Sequence, residues 1–62
     1  MNGERLAYSP TETSAVLGVS KPTVYKLLKR ADFPSFKIGT RTLVPAEGLR
    51  EWLKKQTELE ER

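Results

Sequence analysis

The sequence predicts a mainly α-helical fold with a small β-hairpin: three helices plus two short strands. Three observations lead there. Two serine-led helix starts, Ser9-Pro10 and Ser20-Lys21-Pro22, lie on either side of Gly18. Alternating residues flank Gly39-Thr40. A last apolar stripe, Leu49, Trp52 and Leu53, follows Pro45 at helical spacing.

Residues 1–7 carry little pattern, and a flexible N-terminus is expected there. Leu6 and Tyr8 either pack on the later core or lead in as a short extended segment. The first helix is expected from Pro10 to Leu17, with Ser9 as cap, Pro10 at the first helical position and Glu12 completing a capping box. Thr13 and Leu17 share a face, and Ser14 beside them is small enough to admit a second helix. The hydroxyls of Thr13 and Ser14 can each bond a carbonyl one turn back. Gly18 supplies the positive φ that the reversal needs.

The second helix starts from Ser20, with Pro22 in its first turn where a missing N–H is harmless. Val24, Leu27 and Leu28 form its inward stripe and meet Leu17 and Val19 in a small core. Its outer face carries Lys21, Thr23, Tyr25, Lys26, Lys29 and Arg30. Tyr25 either packs on the following hairpin or bonds a phosphate through its hydroxyl. Lys29 and Arg30 suit the negative end of the helix dipole. Lys21 stands at the positive end, where an anionic partner would offset an unfavourable placement.

Pro34 disfavours helix at Phe33, which is read as a core plug under the loop. Phe36-Lys37-Ile38 and Arg41-Thr42-Leu43-Val44 then form a hairpin around Gly39-Thr40, with a type II′ or I′ turn. Ile38 and one or both of Leu43 and Val44 are expected to cover the helices, leaving Lys37 and Arg41 on the other side and the tip. Pro45 opens the third helix, with Glu47 in its first turn. Within that helix Gly48 costs about 1 kcal/mol relative to alanine. Trp52 is its largest anchor, and Glu51 and Lys55 make an i, i+4 pair. The domain therefore spans residues 8–56, and the charged residues 57–62 are expected to fray.

The 62 residues include no cysteine and no histidine, which removes disulfides, thiolate metal sites and the commonest general base. No catalytic residue, metal ligand or cofactor is assigned; Ser14 has no base to activate it. No apolar run reaches the roughly 18 residues of a membrane span, and no leader is recognised, so a cytoplasmic location is expected. Of the net charge of +3, residues 21–45 alone carry +5: Lys21, Lys26, Lys29, Arg30, Lys37 and Arg41 against Asp32. That excess coincides with the second helix and the hairpin, which points to phosphates. Two helices around a tight turn, followed by a basic hairpin, make a winged helix-turn-helix, with the second helix in the DNA major groove and the wing in the minor groove.

Leu17-Gly18-Val19-Ser20 at the turn, Thr23-Val24-Tyr25, Phe33-Pro34, Ile38-Gly39 and Glu51-Trp52-Leu53 together resemble the excisionase branch of the MerR-like winged-helix domains, from Tyr8 to about Leu53. The chain differs from the usual pattern at Thr13 and Ser14, where alanines are common, and from Thr40 to Thr42. The resemblance implies a phage or mobile-element protein that binds tandem DNA sites, bends the duplex and directs a partner integrase toward excision, without bond chemistry of its own. It implies cooperative self-association on DNA as well. It carries DNA contacts over to Lys21, Thr23, Tyr25 and Lys26 of the second helix and to Arg41 of the wing. Ser20, Lys29, Arg30, Lys37 and Thr40 join them as candidate DNA-binding residues of the helix and the wing. A small transcriptional regulator would use the same contacts, and an adaptor for an acidic protein would use the same basic face. The shortness of the chain favours the excisionase, because MerR-type activators add a long dimerising helix and an effector region.

Overall fold

A computed structural model describes residues 5–60. In chain order it contains β1 (Ala7–Tyr8), α1 (Pro10–Leu17), α2 (Lys21–Leu28), β2 (Phe36–Ile38), β3 (Arg41–Pro45) and α3 (Ala46–Glu60). The strands form one antiparallel sheet in the order β1-β3-β2. A third strand thus joins the expected pair: Ala7 and Tyr8 face Pro45 and Val44. The Ala46 N–H extends this ladder by donating to the Leu6 carbonyl at 2.9 Å. Because bonded and non-bonded pairs alternate, Pro45 falls where β1 needs no donor. Pro45 therefore closes β3, and α3 begins one residue later than its opening proline suggested.

Each helix boundary has a local cause. The Ser9 hydroxyl accepts the Glu12 N–H at 3.1 Å, and the Glu12 carboxylate accepts the Ser9 N–H at 2.9 Å. Gly18 takes φ 75°, and its N–H and that of Val19 both converge on the Ser14 carbonyl, closing α1. Thr13 is fully buried, and its hydroxyl donates to the Ser9 carbonyl at 2.8 Å, so no polar group is stranded. Ser14 likewise donates to the Thr11 carbonyl at 2.7 Å.

The core is centred on Phe33, Val44 and Leu49, with Tyr8, Leu17, Leu27, Leu28 and Trp52 packed around it. Phe33 plugs the loop as expected, edge-on to Trp52 with ring centroids 4.9 Å apart. Val24 is completely buried. Three expected core residues are not in it. Val19, held in the turn by its bond to Ser14, is 39% exposed. Leu53 stands one turn beyond Leu49, is 38% exposed and is not part of the core cluster, which α3 reaches through Leu49 and Trp52. Ile38 is 62% exposed, because the hairpin reaches the core only at its base, through Val44.

Two features of α3 also differ. It is helical through Glu60, past the expected domain end at Gln56, and Glu51 and Lys55 do not form their ion pair. The rest of the expected tail, 61–62, lies outside the described residues. Gly48 has a structural reason. A Cβ there would lie 3.1 Å from Pro34 Cβ and 3.1 Å from Pro45 Cγ, so the bare helix backbone sits between two proline rings.

Candidate nucleic-acid interface

Helix α2 packs against α1, turns Val24, Leu27 and Leu28 inward and leaves the rest of its surface outward. At 100° per residue, Pro22 and Lys26 lie opposite the buried stripe, with Lys21 and Tyr25 on one flank and Thr23 on the other. All five are exposed, as is Lys29 at the C-cap. Tyr25 is 51% exposed and is not among the side chains packed on the core. The Ser20 hydroxyl caps the helix, accepting the Thr23 N–H at 3.4 Å and pairing with the Thr23 hydroxyl at 2.9 Å.

Arg30 is placed differently from the lysines. Its Nε and Nη2 donate to the two oxygens of Asp32, each at 2.9 Å, and Trp52 Nε1 donates to the same carboxylate at 3.4 Å. The Arg30 hydrogen bonds, helped by the indole N–H, hold the Asp32 carboxyl below its ordinary value, and Asp32 raises the guanidinium in return. Arg30 thus ties the end of α2 to the Asp32 loop and, through Asp32, to α3. Among the described residues the only other ion pair joins Arg5 to Glu12. Lys21, Lys26, Lys29, Lys37 and Arg41 are all exposed and belong to neither pair.

The wing is a ribbon closed by a two-residue loop. Ile38 pairs with Arg41, Lys37 with Thr42 and Phe36 with Leu43. Gly39 has φ 63° and Thr40 has no positive φ, which selects type II′ over type I′. Directly opposed residues share a face of the ribbon, so Arg41 lies beside Ile38 while Lys37 lies on the reverse face with Thr42. This corrects the expectation that Ile38 covers the helices. The register decides it, because a two-residue loop forces its flanking residues into one cross-strand pair.

A family model described as a helix-turn-helix domain matches residues 7–57. The chain belongs to that family. No curated protein and no solved structure matches it. The span assigned to the helix-turn-helix domain starts in β1 and ends within α3, so the third strand and the wing are part of the unit. Domains of this kind bind DNA through the second helix of the motif, here α2. Among the described residues no cluster of acidic, cysteine or histidine side chains is placed to hold a metal ion, and no helix is long and apolar enough to cross a membrane.

Sequence reasoning placed Ile38 against the helices, although its position next to Gly39-Thr40 was a signal that it lies at the exposed end of the hairpin. It also counted Arg30 with the free cations, although Asp32 two residues on was the obvious competitor.

Proposed function

We propose that this helix-turn-helix domain binds duplex DNA sequence-specifically, with α2 in the major groove and the wing in the adjacent minor groove, and serves as an excisionase. Lys21, Thr23 and Lys26 contact base edges or nearby phosphates, Ser20, Tyr25 and Lys29 serve the backbone, Arg30 braces the end of α2 through Asp32, and Lys37, Thr40 and Arg41 serve the wing. In this role the protein occupies tandem sites, bends them, associates cooperatively with its own copies and directs an integrase toward excision. The supporting observation is the distribution of charge: between residues 21 and 45 five exposed cations lie outside both ion pairs, and the one carboxylate, Asp32, is held by Arg30. The exposed Arg50, Lys54 and Lys55 of α3 are instead interspersed with Glu47, Glu51 and Glu58. Surface cations left unpaired in one part of a small chain favour a polyanion. The excisionase role is supported by the motif resemblance at the turn, the wing and the Glu51-Trp52-Leu53 segment.

Two measurements test this. Binding to duplex DNA should weaken with salt, with a log–log slope of roughly −4 to −5 if each cation neutralises one phosphate. A flat salt response would favour the adaptor role and overturn DNA binding. An excision assay with an integrase, with and without this protein, then separates excisionase from transcriptional regulator. Unchanged excision combined with promoter occupancy would assign the regulator.

A further inference from the structure

Ile38 stands 62% exposed at the end of the wing, although isoleucine is among the side chains most often buried. It contributes nothing to the core cluster. Its cross-strand partner is Arg41, also exposed and outside both ion pairs. Behind this pair on the same face, Phe36 and Leu43 continue an apolar ladder, with Phe36 40% exposed. The tip beyond it is slender, since Gly39 carries no side chain and Thr40 only a short one.

We propose that Ile38 is an apolar wedge that enters the DNA minor groove beside Arg41, partly unstacking one base step and so setting the bend. The placement rests on the DNA-binding role given above. Arg41 decides the occupant. An apolar protein surface laid over Ile38 would also cover the adjoining guanidinium and strip its water, at a cost only a counter-charge can offset. The minor groove supplies both needs together: negative potential for the cation, and deoxyribose walls and base edges for the sec-butyl group. Architectural proteins use such an apolar side chain to kink the duplex. Lys37, on the reverse face, remains available for a flanking phosphate.

The test uses a duplex that the full chain selects from a random-sequence library, labelled at both ends for energy transfer. Ile38→Ala and Ile38→Thr should both bind about tenfold more weakly and bend the duplex less. Their salt slope should match that of the parent, because no charge is lost. Arg41→Ala should instead reduce the slope by about 1. Ile38→Thr keeps the β-branch that suits a strand, and a parental melting temperature for either variant separates loss of the wedge from loss of the fold. Parental affinity and bending in both Ile38 variants would overturn the wedge. So would an effect limited to self-association in sedimentation, which would give this face to a second protein. If the parent chain selects no duplex, DNA binding itself fails, and the wedge with it.

Discussion

Helices α1 and α2 invite direct comparison. Each is eight residues long, each is capped by a serine, and each has a proline in its first turn. They differ in how the positive end is finished. In α1, Glu12 sits three residues after the cap, closes the capping box and pairs with Arg5. In α2 the corresponding residue is Thr23, the first position is Lys21, and the first turn contains no acid. The N–H of Ser20 has no side-chain acceptor among the described residues. One helix therefore neutralises its own dipole, and the other leaves that end positive and adds a cation to it. Self-sufficiency suits the supporting helix, and an unneutralised start suits the helix that meets phosphates.

Thr23→Glu is the strongest way to break this difference, since it rebuilds the α1 capping box on α2. It should lower affinity for a duplex selected by the parent chain about a hundredfold, by placing a carboxylate against phosphates. The same change should raise stability, by about 0.5 kcal/mol, in chemical denaturation. Parental binding by this variant would place the interface elsewhere. The paired substitutions Ser9→Ala and Ser20→Ala sharpen the contrast. Loss of the Ser9 cap should cost about 1–2 kcal/mol and loss of the Ser20 cap about 0.5 kcal/mol, because the Ser20–Thr23 bond is the longer one. The smallest effect is expected from pH. The Ser9 N–H, with Arg5, holds Glu12 below its ordinary value. A depressed carboxyl contributes stability above its unfolded value and loses it as pH falls through the folded one. The melting temperature should therefore fall between about pH 5 and about pH 3, and Glu12→Gln should flatten part of that fall. Asp32→Asn should flatten another part, since Arg30 depresses Asp32 in the same direction.

Much of this was legible in the chain, because the signals were local. Ser9, Glu12, Gly18 and Ser20 act on backbone groups within a few residues, and both α1 and α2 lie where those residues imply. Phe33 before Pro34 was legible as a plug for the same reason. The misreadings involve longer range. Ala7-Tyr8 is too short to alternate, and it becomes a strand only because β3 offers a free edge. Ile38 looked like core until its register with Arg41 turned it outward. At the interface, the exposure of Lys21, Lys26 and Lys29 follows from the position of Val24, Leu27 and Leu28. The capture of Arg30 by Asp32 depends on side-chain geometry that no periodicity encodes.

Gly48 extends its influence well beyond its own turn. Held between Pro34 and Pro45, it works as a fulcrum, and the rest of α3 is the arm. From there to Leu59 the helix rises roughly 16 Å, so a tilt of about 5° at the proline rings moves the far end by about 1.5 Å. A single added methyl group could therefore re-aim the exposed Leu59 without touching it, and the bearing of that distal apolar side chain is written into two imino-acid rings and a missing side chain.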